Sequence, residues 1–166
     1  MAGIVDQILS TNAHYAESFD RGKLPMPPSK HLAILTCMDA RIMPQEVFGL
    51  GTGDAHVIRN AGGRATDDAI RSLIISSELL GTKEFLVVHH TDCGMLTFED
   101  KDLQATLETK TGKDASSIVF HAFKNLEQSV RDDVKAIRSS PFIAKSIPVH
   151  GFVFDVRTGK LIRVEG

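Results

Sequence analysis

The segment KEFLVVHHTDCG (residues 83–94) is an apolar run that ends in two histidines, with a cysteine three residues after the second. A short apolar run bounded by turn residues predicts a buried β-strand. A second run of this kind, HLAILTC (31–37), ends in Cys37, and the chain's other cysteine is Cys93 in the first segment. Two predicted strands therefore each end at a residue type that binds metals.

Predicted helices separate the predicted strands. Further strands are expected at AHVIRN (55–60) and in IPVHGFVFDVRTGKLIRVEG (147–166), where a hairpin turns at residues 157–160. Helices are expected over residues 3–20, 44–48, 67–80, 101–111 and 121–138. Strands that alternate with helices predict an α/β fold, a central and mostly parallel β-sheet flanked by helices. We expect a single domain over residues 1–166, with residues 1–28 as an N-terminal helical arm and Pro-rich connector.

Length and composition limit the classes of function. The chain has 166 residues, of which 42% are hydrophobic and 24% charged, as is typical of a globular domain. Its formal net charge of −2 gives no basic surface for nucleic acid or an anionic membrane. No apolar run has the length of a membrane span, and the N-terminal residues lack the basic start of a secretory signal. We therefore expect a cytoplasmic protein whose cysteines stay reduced.

Cys37, His90 and Cys93 are candidate metal ligands. Thiolate and imidazole are groups that bind zinc in tetrahedral sites, and three protein ligands leave a fourth position open. Ligand sites of parallel sheets lie beyond the carboxyl ends of the strands, where Cys37 and His90 are both expected. Spacing alone leaves a second interpretation open, in which both cysteines are buried apolar residues and His90 is a hydrogen-bonded core histidine. Neighbouring strand residues face opposite ways, so His89 is expected to pack in the interior or behind the ligands.

Asp39 and Arg41 follow Cys37 closely in CMDAR (37–41). Arginine can donate two parallel hydrogen bonds to a carboxylate, so the two side chains can form an ion pair beside the metal. Asp39 could then accept a hydrogen bond from metal-bound water, or bind the metal itself when Arg41 releases it. The alternative is an exposed surface pair with little energetic effect.

Two glycine-rich segments have different interpretations. GLGTGD (49–54) precedes a predicted strand, whereas the dinucleotide-binding fingerprint follows one, so we interpret it as a turn. In RNAGGR (59–64) a strand ends before Gly62 and Gly63, which allow the backbone to approach another group closely. That group is either a ligand or a neighbouring helix, and on the first interpretation Gly62 and Gly63 bind the substrate.

Three motifs, taken in order, make this sequence resemble the β-class carbonic anhydrases, in particular their compact microbial and fungal branch. The motifs are C-x-D-x-R at residues 37–41, GD…RN-x-G at residues 53–62, and H-x-x-C at residues 90–93. The resemblance implies the α/β fold with a mostly parallel sheet and a homodimer or homotetramer. It also implies Zn2+ bound by Cys37, His90 and Cys93, with Asp39 and Arg41 as a catalytic pair.

The resemblance implies a zinc enzyme in which hydroxide attacks a small, neutral, linear substrate. The first expectation is reversible hydration of CO2 to bicarbonate. Relatives in the same branch hydrolyse carbonyl sulfide or carbon disulfide with the same ligands and release hydrogen sulfide, and this is the alternative. A zinc-binding protein without turnover and a thiol-redox protein are further alternatives. Pro28 and His56 occupy positions where plant-type members have a glutamine and an aromatic residue, so the pocket is expected to have different walls.

Overall fold

The computed structural model describes residues 3–165. Its sheet has five strands: β1 (Leu32–Cys37), β2 (Ala55–Asn60), β3 (Glu84–His90), β4 (Val149–Phe154) and β5 (Leu161–Val164). The strands lie in the order β2-β1-β3-β4-β5. All neighbouring pairs are parallel except β4 and β5, which form the hairpin predicted at the C-terminal end of the sequence. The expected α/β fold with a mostly parallel sheet is confirmed.

Five α-helices accompany the sheet in the described residues: α1 (Ile4–Glu17), α2 (Pro44–Val47), α3 (Asp67–Glu78), α4 (Asp100–Thr111) and α5 (Leu126–Ser139). Two short 3-10 turns, Ala61–Gly63 and Gly94–Leu96, follow β2 and β3. Thr66 begins α3 as its sequence predicts, because the Thr66 side chain accepts a hydrogen bond from the Ala69 backbone N–H. Within residues 3–165, no helix is long and apolar enough to cross a membrane.

The helix predicted over residues 121–138 begins later, at Leu126. Asn125 caps it by accepting a hydrogen bond from the backbone N–H of Gln128. The segment before Asn125 is not helical, because the Asp100 carboxylate accepts hydrogen bonds from the backbone N–H groups of residues 120–122. A side chain about twenty positions earlier therefore replaces the helical hydrogen bonds that the local pattern predicted.

One face of the sheet is closed by α3 and α5. Leu73 of α3 and Val130 of α5 pack in the same cluster as Leu35 and Val87 of the two central strands, and all four are fully buried. Gly151 of β4 permits this packing, because a Cβ at that position would lie 2.6 Å from Val130 Cγ1. The central strands are therefore fixed in position by helices on this side.

The second face is covered less completely. A cluster that includes Ile34 and Val88 is buried there, together with both cysteines, but Leu32 and Leu86 are only half-buried. α1 contributes no buried residue, and its apolar side chains are exposed. An unpaired amphipathic helix and a partly open apolar sheet face are thus present in the same chain.

Candidate metal centre

The carboxyl ends of β1 and β3 bring three donor groups together. Cys37 ends β1, His90 ends β3, and Cys93 lies in the turn that follows β3. The two Sγ atoms and a ring nitrogen of His90 all lie within 4.8 Å of one another, and all three residues are buried. The strands end at the same edge because parallel pairing places Thr36 opposite Val88. The structure therefore brings together the three residues that spacing alone left unconnected, as the metal interpretation expects.

The hydrogen bonds of His90 show how it faces this cluster. Its Nδ1 lies 2.9 Å from the backbone oxygen of Thr91. A carbonyl oxygen only accepts, so Nδ1 carries the hydrogen and Nε2 presents a lone pair. His90 Nε2 is buried and, within residues 3–165, is the one buried side-chain nitrogen or oxygen without a hydrogen-bond partner. A metal ion would satisfy it, and two thiolates with one imidazole are a donor set that fits zinc.

The two thiols are strongly coupled. A hydrogen bond from the Cys93 thiol lowers the pKa of Cys37 to about 4 against the opposing effect of burial, and the backbone N–H groups of Asp39 and Gly62 lower it further. The same Cys37–Cys93 hydrogen bond, together with burial, raises the pKa of Cys93. The pair thus holds one proton between two sulfurs, and a divalent cation would replace that proton. Both cysteines are free thiols, with no disulfide between them.

Asp39 and Arg41 form the ion pair expected from CMDAR. Arg41 Nη2 donates to Asp39 Oδ2 at 2.7 Å, and Arg41 Nε donates to Asp39 Oδ1 at 2.9 Å. The Arg41 backbone N–H also donates to Oδ1 at 2.9 Å. These hydrogen bonds hold the pKa of Asp39 well below its usual range, so the carboxylate stays ionised. Oδ2 lies 3.8 Å from His90 Nε2, so Asp39 stands beside the donor cluster.

Sequence reasoning missed two residues that hold this pair. Asp92, between the two candidate ligands of the H-x-x-C motif, accepts from Arg41 Nη1 at 2.7 Å through Oδ2, and its backbone oxygen accepts from Arg41 Nη2 at 2.9 Å. Arg59 donates to the backbone oxygens of Cys37 and Asp39, at 3.0 and 2.7 Å. The charge of Asp92 and the position of Arg59 in the RN-x-G motif were the available signals, but neither indicates a partner so far along the chain.

A cavity of about 530 Å³ opens over the donor groups. Its walls include Asp39, Gly62, Met95 and Phe98. Gly62 therefore lies where a substrate-binding residue is expected. Gly63 does not line the cavity: a Cβ there would lie 2.9 Å from Cys37 N, so this glycine packs against the backbone of β1. The close approach that the double glycine allows is thus made to β1 rather than to the neighbouring helix.

An α/β sheet that presents two cysteines and a histidine at its strand ends, beside an Asp–Arg pair, is the fold and site of a mononuclear metalloprotein. A family model described as carbonic anhydrase matches residues 32–161. The chain is also 48% identical over 161 residues to β-carbonic anhydrase 1 of Mycobacterium tuberculosis, with 97% of this chain and 98% of that protein covered. The chain belongs to the β-carbonic anhydrase family.

Two further comparisons extend this finding. A crystal structure of carbonic anhydrase from Streptococcus mutans superposes with a TM-score of 0.94 at 41% identity, covering 99% of both chains. A carbon disulfide hydrolase of Saccharolobus solfataricus is 34% identical over 160 residues, with 82% of this chain and 78% of that protein covered. The family resemblance drawn from the motifs is confirmed.

Proposed function

We propose that this protein is a zinc enzyme that catalyses the reversible hydration of CO2, in which CO2 and water give bicarbonate and a proton. The observation that carries the proposal is the convergence of three donors, Cys37, His90 and Cys93, within 4.8 Å, next to an ionised Asp39. A site that only stabilised the fold would have no use for the Asp39–Arg41 pair beside it. The 48% identity to a β-carbonic anhydrase over nearly the whole chain supports the same activity.

The chain's own residues prepare the attack on the substrate. Zinc held by Cys37, His90 and Cys93 would supply a Lewis acid that makes water a stronger nucleophile. Asp39 is kept ionised by Arg41, so its oxygens only accept hydrogen bonds. Asp39 would therefore accept a hydrogen bond from the attacking water, and the lone pair of the water oxygen would face the cavity. Arg41 fixes the carboxylate through two side-chain hydrogen bonds, and Asp92 in turn fixes Arg41.

The cavity suits a small neutral substrate. Met95 and Phe98 give it apolar walls, and Gly62 contributes backbone to the lining and no side chain. Apart from the two cysteines, the one ionisable side chain in its lining, within the described residues, is Asp39, which is already paired with Arg41. CO2 needs no charged partner for binding, whereas a carboxylate or phosphate substrate would.

Hydrolysis of carbon disulfide or carbonyl sulfide is the second candidate, because a relative at 34% identity is a carbon disulfide hydrolase. Carbonyl sulfide and one water give CO2 and hydrogen sulfide, and carbon disulfide and two waters give CO2 and two hydrogen sulfide molecules. Both substrates are linear and neutral, so the same cavity and the same Asp39 could serve them.

Paired kinetics on the zinc-loaded protein test the proposal. CO2 hydration is followed by stopped flow, hydrogen sulfide release is followed for both sulfur substrates, and kcat/KM is compared. We expect CO2 to be preferred, and Cys37→Ser to lose turnover while Ser77→Ala, a change on α3, keeps it. Efficient sulfide release with slow CO2 hydration would make the second candidate the function. Zinc-loaded protein no faster than Cys37→Ser on any substrate would refute both.

We further propose that the protein is a homo-oligomer, a homodimer or a homotetramer. In support, α1 exposes Ile4, Ile8 and Leu9, each more than half accessible, while Leu32 and Leu86 on the sheet are incompletely covered. The α1 helix of a second copy would cover such a face. Light scattering should give a multiple of the 18.1 kDa chain mass, and Leu9→Asp should reduce that mass. A monomeric wild-type protein would contradict this.

The proposal includes a single domain over residues 1–166 and a cytoplasmic location. Zinc binding needs Cys37 and Cys93 as reduced thiols, and a reducing compartment maintains them. Fractionation of the source cells with an antibody, and a single cooperative unfolding transition of the purified protein, are the measurements. Recovery in an oxidising compartment, or two separate transitions, would contradict these two expectations.

A further inference from the structure

A buried ionic cluster, formed by Arg64, His89 and Asp133, lies behind the metal centre. Asp133 on α5 accepts from Arg64 Nε at 2.8 Å and from Arg64 Nη2 at 3.2 Å, a two-pronged contact. Its Oδ2 also lies 3.0 Å from His89 Nε2. The side chains of Arg64, His89 and Asp133 are only 13%, 0% and 6% exposed. None of these residues belongs to the donor set or to the Asp39–Arg41 pair.

This cluster contacts the C-terminal end of the glycine turn Ala61–Gly63, at Gly63 and at the following residue, Arg64. His89 Nε2 lies 3.2 Å from the backbone oxygen of Gly63, and both this oxygen and the Asp133 carboxylate are acceptors, so Nε2 donates to them. Arg64 follows the turn, and its backbone N–H donates to Asn60 Oδ1 at 2.7 Å. The Asp133 carboxylate is thus connected to the turn through two side chains, the His89 imidazole and the Arg64 guanidinium.

The turn in question contacts a metal ligand. Gly63 lies so close to β1 that a Cβ would meet Cys37 N at 2.9 Å. Gly62 lines the cavity together with Cys37, and its backbone N–H donates to the Cys37 sulfur. Moreover, His89 precedes the ligand His90 in β3. Movement of the turn would therefore change both the position of Cys37 and the hydrogen bond that its thiolate receives.

Stability alone does not account for this arrangement. Removing two charges from water is costly, and apolar residues of similar volume often stabilise a buried position equally well or better. Burial opposes ionisation of Asp133, but hydrogen bonds from His89 and Arg64 outweigh it and lower the pKa of the carboxyl below its ordinary value. What the ionic cluster adds over an apolar one is direction, because its hydrogen bonds fix the orientation of the groups they join.

We propose that Asp133 is a positioning residue for the metal centre: through Arg64 and His89 it holds the turn Ala61–Gly63 against Cys37, and so sets the geometry and electron density of that thiolate ligand. The inference rests on the proposed metal site, because the tests below measure metal binding at that site. Asp133 touches neither the ligand cluster nor the cavity lining, so its effect is transmitted through the turn.

The first test compares Asp133→Asn with Asp132→Asn. Asp132 is the exposed neighbour on α5 and bonds only to Gln128 in the described contacts, so it is a matched control. Zinc affinity is measured by competition with a chelator, and the thiolate-to-metal charge-transfer absorption is measured on the cobalt-substituted proteins. We expect zinc to bind about ten- to a hundredfold more weakly to Asp133→Asn, with a shifted charge-transfer band. Asp132→Asn should match wild type in both measurements.

A second pair of variants separates positioning from folding. Arg64→Met/Asp133→Leu replaces the ion pair by apolar side chains and should recover thermal stability lost in Asp133→Asn. If Asp133 positions the turn, zinc affinity and the cobalt spectrum stay altered in this double variant, whereas Asp133→Glu partly restores them. Recovery of the metal properties together with stability would show a merely structural role and overturn the inference, as would an unaltered Asp133→Asn. A wild-type protein that binds neither zinc nor cobalt would instead refute the metal site itself.

Discussion

Replacing Gly63 by alanine tests how tightly the glycine turn packs against β1. Gly63 has a φ of +68°, in the left-handed region that favours glycine. A Cβ at this position would also lie 2.9 Å from Cys37 N and from the carbonyl carbon of Thr36. Both are backbone atoms at the end of β1, a strand paired with β2 on one side and β3 on the other, so they cannot rotate away as a side chain could. Alanine therefore adds a conformational cost and a steric cost at once.

Gly112 separates these two costs. It ends α4 with a φ of +67°, and a Cβ there would have nothing within 4 Å. The left-handed conformation costs an L-residue roughly 1–2 kcal/mol, and overpacking costs roughly another 1–3 kcal/mol. We therefore expect Gly112→Ala to lose about 1 kcal/mol of unfolding free energy and Gly63→Ala about 2–5 kcal/mol.

Urea unfolding at one fixed protein concentration gives the two free energies, and chelator competition gives the zinc affinities. The added Cβ at Gly63 would displace the backbone of Cys37, so Gly63→Ala should also weaken zinc binding. Gly112→Ala should leave zinc binding unchanged. If the two variants lose the same free energy, or if Gly63→Ala binds zinc like wild type, the close approach of the turn to the ligand does not have the effect inferred for it.

Three further predictions concern single side chains. His90→Ala should lose stoichiometric zinc after dialysis against a chelator that leaves wild type loaded, as elemental analysis would show; a fully loaded variant would contradict the ligand set. Arg41→Met should lower kcat for CO2 hydration about tenfold or more. Asp92→Asn should lower kcat only a few-fold, because Arg41 still holds the Asp39 carboxylate. Equal losses of kcat in the two variants, measured by stopped flow, would contradict that ranking. Burial opposes ionisation of Asp100, but three backbone N–H groups at residues 120–122 lower its pKa below the ordinary 3.8. Its folded pKa is thus depressed, so Asp100→Asn should cost about 1 kcal/mol near pH 7, and the difference from wild type should shrink as the pH falls from about 4 through the lower folded pKa. Thermal unfolding between pH 3 and 7 measures this difference, and a constant gap would argue against the cause given.

The strands and most of the helices were predictable because their signals are local. An apolar run such as HLAILTC can be satisfied only by burial, and a capping threonine such as Thr66 acts within one turn of its own position. The start of α5 was not predictable in this way. Asp100 binds the backbone N–H groups before it from a distant position, and no periodicity within residues 121–138 indicates that contact.

For the site, the motifs named the candidate ligands, and the Asp39–Arg41 pair was within reach because only Ala40 separates its members. The contacts that hold these groups lie much farther apart in sequence. Arg41 meets Asp92 across 51 positions, and Arg64 meets Asp133 across 69. A charged residue on a helix is usually solvated, so nothing in the sequence distinguishes Asp133 from its exposed neighbour Asp132.

The strands of the sheet, the α/β class and, through the ordered motifs, the candidate ligands Cys37, His90 and Cys93 could be predicted from residue type and local spacing, which act over a few positions of the chain. Three contacts came from the fold alone: Gly63 packs on β1 and does not face the cavity, Asp92 completes the Arg41 pair, and Asp133 lies buried behind the candidate ligands. These contacts depend on which strand ends and helix faces meet in space, and parallel strand pairing brings together residues that no local pattern connects.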